Sequence, residues 1–240
     1  MTEARRAGSF STTWSTARSF DGWLTEQQAR LLWDCARALP DGAHVLEIGS
    51  HQGRSTTVLA SAIGDRAGRV TAIDPFDDTL PPGHEVAKQS FEEHLCSAGV
   101  RDLVNLLTDF STRLRPGWTE PIDLLYIDGE HGYHTVKDDL LWADHVPPGA
   151  TVLIHDAFSS LGVTRALVTK AIPARHLRYR GRVGSLAHFE VGRPTAWDTV
   201  RLIGQLGWFA RNVMMKVLIT AGLGRVARAL GHRQGSVFPY

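Results

Sequence analysis

Short apolar runs alternate with longer stretches of helical spacing along most of the chain. Residues 45–48, 70–73, 104–107, 122–127 and 151–154 are brief runs rich in Val, Ile and Leu, and each predicts a short buried strand. Thr25 has the chemistry of an N-cap ahead of Glu26. Leu31, Leu32, Cys35, Ala38 and Leu39 then fall on one face of a helix reaching to about residue 39, where Pro40-Asp41-Gly42 ends it. Helical spacing returns over residues 54–63, 85–98, 133–145 and 162–171. In the third of these, Val136, Leu140 and Leu141 are expected inward, with Lys137, Asp138 and Asp139 outward. Residues 65–68 and 81–83 (Pro81-Pro82-Gly83) mark turns, and residues 176–179 and 185–191 suit a closing antiparallel pair.

Strands alternating with helices imply an α/β fold, Rossmann-like and doubly wound. The sheet would be mostly parallel, with an antiparallel C-terminal strand pair. Three parts are expected: an N-terminal arm or flap at 1–24, the α/β domain at 25–192, and a basic helical tail at 193–240. Residues 1–20 are rich in Ser, Thr, Ala and Arg and read as a mobile arm. Phe10, Trp14 and Phe20 suit the other reading, a flap that closes on ligand.

Composition narrows the class. The chain has 240 residues, 43% hydrophobic and 21% charged, as in an ordinary globular protein. A formal charge of +1 gives no global field for nucleic acid. Cys35 and Cys96 are too few for a disulfide framework or thiolate zinc site, and point to a reducing, cytoplasmic compartment. Residues 1–19 hold no apolar run, so no secretory signal is expected, and no stretch is apolar for the length of a bilayer crossing.

The chemistry gathers where ligands bind such sheets, at the carboxyl ends of the strands. All five ends carry an acid: Glu47, Asp74, Asp109, Asp128 and Asp156. The first strand runs into Glu47-x-Gly49-x-x-x-Gly53, a glycine turn opening a helix. A dinucleotide fingerprint would have a middle glycine where His51 stands, and Glu47 would repel a pyrophosphate but suit a cationic ligand. Asp74 lies 25 residues past Gly49, near where an acid grips ribose hydroxyls in this architecture. A carboxylate rim suits cationic groups with ribose hydroxyls, a metal ion, or both.

Together, Glu47-x-Gly49-x-x-x-Gly53, Asp74-Pro75-Phe76, Asp109, the run 122–131 (IDLLYIDGEH) and the run 148–156 (PGATVLIHD) resemble the class I S-adenosylmethionine-dependent methyltransferases. Within these the chain looks most like the metal-assisted branch that O-methylates sugars and other small molecules. The resemblance covers about residues 25–191. It implies S-adenosylmethionine as cofactor, with Glu47, Gly49, Ser50, Gly53 and Ser55 along its methionine and ribose. Asp74, with Phe76 beside it, would take the ribose hydroxyls, and Asp109 with Phe110 would face adenine, Asp109 accepting from the amino group. For Glu47 and Asp74 the plainer alternative is loop capping. The resemblance also implies a divalent metal, magnesium first and manganese second, held by Asp128 and Asp156, with His131 as the base and Asp128 a catalytic residue that also stands beside the cofactor.

His155 stands where that branch has an acid. Magnesium prefers oxygen, whereas imidazole suits zinc, iron or manganese, so His155 is either a third metal ligand or a residue that satisfies a backbone carbonyl. His134 is a second candidate near the acceptor or a surface helix residue, and His44, His84, His94 and His145 receive no role. The implied reaction is O-methylation of a sugar or polysaccharide hydroxyl. A phenol or catechol acceptor comes second. Non-catalytic binding of the cofactor and a hydroxylase-like activity on the same fold are the competing classes.

The tail changes character. Residues 193–240 hold seven Lys or Arg and one acid, a formal +6 against −5 for the rest. Val200, Ile203, Leu206, Trp208, Phe209, Val213, Met214, Val217 and Leu218 give a broad apolar face at helical spacing. The tail would pack on the domain or across a dimer interface of a homo-oligomer, or else lie on a membrane surface or cover an anionic acceptor.

Overall fold

The computed structural model describes residues 8–76, 84–174, 176–223 and 225–226. In chain order the elements are α1 (Phe10–Ala17), α2 (Glu26–Arg37), β1 (His44–Ile48), α3 (Arg54–Ile63), β2 (Arg69–Ile73), α4 (His84–Ser97), β3 (Val104–Leu107), α5 (Ser111–Leu114), β4 (Leu124–Ile127), α6 (Tyr133–Asp139), β5 (Thr151–Ile154), α7 (Leu161–Ala166), α8 (Ile172–Ala174), β6 (Leu177–Val183), β7 (Leu186–Val191) and α9 (Ala196–Thr220). The local chemistry explains several boundaries. Thr25 and Gln28 close a capping box on α2, and Thr195 and Asp198 do the same on α9. Gly53, at φ 82°, turns the chain into α3.

The strands form one sheet in the order β3-β2-β1-β4-β5-β7-β6. β3, β2, β1, β4 and β5 pair in parallel, and β7 pairs antiparallel with β5 and β6. Successive strand residues point to opposite faces, so each strand feeds two cores. Val45, Val70, Leu124 and Leu153 pack with α1 to α4, while Leu46, Ile73, Leu125 and Val152 pack with the layer of α6, α7 and α9. Each such fully buried side chain contributes roughly 1.5–3 kcal/mol of hydrophobic stabilisation. This burial on both faces is why the strands read as unbroken apolar runs.

Four sequence expectations change. Over residues 8–20 the arm is a packed helix and turn: Ser9 caps α1, Ala17 is fully buried, and Trp14 and Phe20 join the core. The helix expected at 133–145 stops at Asp139 and tightens into a 3-10 turn over Leu140–His145. Asp139, three residues after the buried Val136 on the same helix face, is buried, and Leu141 in the 3-10 turn is 38% exposed, the reverse of the expected facing. The helix expected at 162–171 becomes α7 plus a π turn over Leu167–Ala171. In the tail, α9 buries Leu202, Asn212 and Met215, whereas Val200, Ile203, Val213, Met214 and Val217 stay exposed. Asn212 and Lys216 tie α9 to the carbonyls of Phe158 and Ser159. The 81–83 turn, Arg228 and Arg233 lie outside the described residues. Among the described residues, no helix is long and apolar enough to cross a membrane.

Candidate active site

β1 bonds to β2 on one side and β4 on the other, so the strand order reverses direction at β1. Such a switch point leaves a crevice beyond the strand ends. Here it is a cavity of about 530 Å³, lined by the loop after β1, Asp74 and Pro75 after β2, Phe110 and Ser111 after β3, the loop 128–131 after β4, His155 and Asp156 after β5, and the N-terminal residues 21–24.

The loop after β1 is set by close backbone packing. Gly49 has φ 85°, and a Cβ there would stand 2.2 Å from the carbonyl oxygen of Asp128. Asp74 braces the same loop: its Oδ2 accepts from the backbone N–H of Ser50 at 2.9 Å and His51 at 2.8 Å, and its Oδ1 from Phe76 N–H at 3.1 Å. It therefore caps the loop while still lining the cavity, with lone-pair capacity left for hydroxyl donors. Ser50 and Ser55 line the cavity beside Gly49.

Other expected cofactor residues lie behind this surface. Glu47 is fully buried, its oxygens accepting from the hydroxyls of Ser55 and Thr56, and burial pushes its carboxyl up to about 7 despite those bonds. It does not line the cavity, whereas its partner Ser55 does. Gly53 packs on Phe91, and Phe76 meets Phe91 edge-on at 5.9 Å. Neither lines the cavity, and both serve to seat the loop. Asp109 bonds its neighbour's backbone N–H and pairs with Arg113 at 3.2 Å, away from the lining, while Phe110 is on it. The carboxylate that lines that corner is Asp139, whose Oδ1 accepts from the Ser111 hydroxyl.

The strand ends β4 and β5 bring two carboxylates and two imidazoles together. His155 Nδ1 lies 3.0 Å from Asp128 Oδ1 and 3.8 Å from Asp156 Oδ2. His131 Nε2 lies 3.2 Å from Asp156 Oδ2 and 4.0 Å from Asp128 Oδ1. The Tyr126 hydroxyl donates to Asp128 Oδ2 at 2.7 Å. Burial pushes Asp128 up, but the charge of His155 and the donors around it hold its carboxyl at about 2. Burial likewise pushes His155 down, and the charges of Asp128 and Asp156 overcome this to raise it to about 9. The Asp128 and Asp156 carboxylates raise His131 as well. His155 thus faces a carboxylate rather than the backbone carbonyl that the sequence allowed.

The expected magnesium site does not fit this arrangement. Each facing carboxylate oxygen is at hydrogen-bond distance from an imidazole nitrogen, and Asp128 holds a phenol donor besides. Two imidazoles in the cluster are also the wrong donors for an ion that demands oxygen. Among the described residues, no group of three or more His, Cys, Asp or Glu side chains is arranged to hold a metal ion.

Several contributors carry no local sequence signal. Gly162, in α7, packs so closely that a Cβ would stand 2.0 Å from the carbonyl oxygen of His131, which fixes the height of that loop. Arg54, in the first turn of α3, donates to the carbonyls of Phe20 and Leu24 and so holds residues 21–24 over the cavity. There Trp23 approaches the His51 ring at 5.8 Å. His134 is exposed and off the lining, as a surface helix residue. His44 bonds Pro121 O and Thr71, and His94 bonds Gln52 O, both as structural braces.

Comparison with known proteins agrees with this architecture. Residues 46–157 match the family model described as a methyltransferase domain. Over 125 residues, 47% of the chain, it is 34% identical to the uncharacterized protein y4gI of Sinorhizobium fredii, and spans 13% of that relative's length. The O-methyltransferase TomG from Streptomyces achromogenes, involved in tomaymycin synthesis and solved in complex with SAM, is similar at TM-score 0.57 and 20% identity, over 80% of this chain and 100% of that one. An O-methyltransferase from Bacillus cereus in complex with SAH is similar at TM-score 0.54 and 19% identity, over 75% and 88%.

Proposed function

We propose that this chain, whose residues 46–157 match a methyltransferase domain model and whose fold resembles that of solved O-methyltransferases, transfers the methyl group of S-adenosylmethionine to a hydroxyl of a small-molecule acceptor. The observation that carries the reading is His131. It is a half-exposed imidazole on the cavity wall, 3.2 Å from the partly buried Asp156 carboxylate, in the loop that also packs against Gly49. The reading is further supported by Asp74, which braces the loop after β1 and lines the cavity with lone-pair capacity left for ribose hydroxyls.

The chemistry needed is modest. A sulfonium methyl is already activated, and the acceptor hydroxyl's high pKa is the obstacle. In this reading His131 takes the proton as the acceptor oxygen attacks the methyl carbon. The carbon–sulfur bond breaks, leaving a methyl ether, S-adenosylhomocysteine and an imidazolium that gives its proton to water. Asp156 and Asp128 orient the ring and stabilise its charged form, as carboxylates do for other catalytic histidines. The cavity wall supplies alignment of oxygen, methyl and sulfur, which is catalysis by proximity. No step requires a metal.

We take the acceptor to be a sugar-type alcohol. The polar rim of Asp21, Glu130 and Asp156, with the exposed face of Trp23 beside it, supports a polyhydroxylated ligand with one apolar face. The exposed apolar positions of α9 support contact with a second copy or a lipid surface. The test is transfer of a radiolabelled methyl from S-adenosylmethionine to a panel of sugars, phenols and catechols. Labelled sugar ether supports the reading, and labelled phenol alone moves the acceptor to the second class. Tight cofactor binding with no transfer to any acceptor makes the chain a binding protein.

A further inference from the structure

α9 runs for 25 residues and has two unlike faces. At about 100° per residue, Asp198, Leu202, Asn212 and Met215 fall on one side of it, and all four are buried. Val200, Ile203, Gly207, Ala210, Met214 and Val217 fall on the other, a stripe about 25 Å long, and all six are exposed. Val217 alone keeps 60% of its surface in solvent. An unbroken apolar stripe on the outside of a folded chain marks an interaction surface, whereas scattered apolar residues do not. Among the described residues no helix is long and apolar enough to cross a membrane, so the stripe is a face and not a span.

The charges around the stripe decide what covers it. From Thr199 to Tyr240 the sequence has six Lys or Arg and no Asp or Glu. Arg201, Arg211 and Lys216 lie on α9 itself. Arg180, 45% exposed, lies on β6, where its carbonyl accepts from Arg201. Glu190 and Asp198, the acids of β7 and α9, are already paired with Arg178. We propose that this face of α9 docks on an anionic lipid surface, the stripe entering the headgroup boundary and the basic side chains meeting lipid phosphates. A second copy laid on the stripe would bring two such basic, acid-free segments together, with like charges facing and no carboxylate between them. Lipid phosphates supply the missing counter-charge, and each Lys or Arg held near an anionic surface adds to the attraction. Trp197, 68% exposed in the first turn of the helix, has the apolar body and polar tip that suit a membrane–water boundary. Asn212 and Lys216 tie α9 to the carbonyls of Phe158 and Ser159, so the lipid would lie about one helix diameter, roughly 10 Å, from the loop that carries Asp156. This inference stands whether or not the chain transfers methyl groups.

The test is co-sedimentation of the full chain with vesicles of phosphatidylcholine alone and of phosphatidylcholine mixed with phosphatidylglycerol. The native protein should bind the anionic vesicles about tenfold or more tightly than the neutral ones, and raising salt to about 1 M should weaken that binding. The double variant Ile203→Glu with Val217→Glu, at two exposed positions, should lower binding to the anionic vesicles by about tenfold or more, with its melting temperature unchanged. If that variant melts early, Ile203→Ser with Val217→Ser adds no charge and should still weaken binding several-fold. Equal binding to the two kinds of vesicle, or native-like binding by a folded variant, overturns the proposal. So does a concentration-dependent dimer in analytical ultracentrifugation that the Glu pair abolishes, with no vesicle binding by the native chain, since a second copy would then own the stripe.

Discussion

His131 Nε2 stands 3.2 Å from Asp156 Oδ2, across the gap between the loops that follow β4 and β5. One ring nitrogen thus faces a carboxylate while the side chain remains 48% exposed to the cavity. An imidazole placed this way can hold a proton that arrives from solvent or from a ligand. His131→Ala should lower kcat by about 10²–10⁴-fold, the usual contribution of a positioned base, with cofactor affinity nearly unchanged. His131→Gln keeps a hydrogen bond but cannot take a proton, and should be nearly as slow. Single-turnover methyl transfer with calorimetry measures both quantities. A Gln variant near native turnover would reduce His131 to a brace of its loop.

The pH dependence follows from the same contact. The two carboxylates raise His131 above the ordinary imidazole value of 6.5. A base works when it has lost its proton, so kcat should be low at pH 6 and rise through a midpoint above 6.5. Asp156→Asn removes one of the raising charges and should move the midpoint down. A flat profile from pH 6 to 9, or a midpoint indifferent to Asp156→Asn, would argue against this assignment.

Metal removal is expected to matter little. With His155 and His131 against the carboxylates, excess chelator should leave turnover within about twofold of the untreated enzyme, since removing a catalytic ion would cost several kcal/mol of transition-state stabilisation. Elemental analysis of the purified protein supplies the independent check. A stoichiometric bound metal, with activity lost on chelation and recovered on adding magnesium or manganese, would reinstate the ion.

Two glycines separate the halves of the site. In Gly49→Ala the new Cβ would meet the Asp128 carbonyl at 2.2 Å, where backbone must move, so stability and cofactor binding should both fall. Overpacking of this kind costs roughly 1–3 kcal/mol, and the positive φ adds to it. In Gly162→Ala the clash is with the His131 carbonyl, so kcat should drop while cofactor affinity holds. Denaturant unfolding, calorimetry and turnover on the two variants separate these effects. Equal loss of cofactor affinity in both would show that the loops move as one body.

Glu47 gives a stability signature. Burial raises its carboxyl from 4.5 to about 7. Between those values the native state keeps a proton that the unfolded chain has released, so native stability falls as pH rises and levels off above 7. Glu47→Gln lacks that term. Its stability relative to the native protein should improve by about 2–3 kcal/mol between pH 4.5 and pH 8, read from urea unfolding. A difference constant with pH would mean that Glu47 stays ionised throughout.

Much of this was legible in the sequence where a single physical pattern dominated. The runs at 122–127 and 151–154 became β4 and β5 because strands covered on both faces have no alternation to confuse. His131, Asp128, His155 and Asp156 could be placed together because parallel strands deliver their carboxyl ends to one edge. What failed was hidden by polar character. In Val136-Lys137-Asp138-Asp139-Leu140 the charge of Asp139 suggests an outer position, but Asp139 lies three residues after Val136 and so shares its inward face. The charge of Glu47, at the mouth of a glycine turn, points to a ligand. Its neighbours Ser55 and Thr56, one turn into α3, instead supply the donors that let it stay inside. The Ser- and Thr-rich start of the chain looked solvated, yet Trp14 and Ala17 suffice to dock a short helix.

The anchoring of residues 21–24 has a bearing on how such an enzyme can change over evolutionary time. Arg54 grips main-chain carbonyl oxygens, at Phe20 and Leu24, rather than side chains. A carbonyl is offered by every amino acid, so the clasp itself does not read the side chains at positions 21 and 23. Asp21 and Trp23, which face the cavity, can therefore be exchanged without loosening the strap or disturbing the loops that hold His131 and Asp74. New acceptor preferences could then arise by substitution at Asp21 and Trp23, while buried Leu24, Gly22 against Arg54 and the half of the cavity around Asp74 are inherited intact.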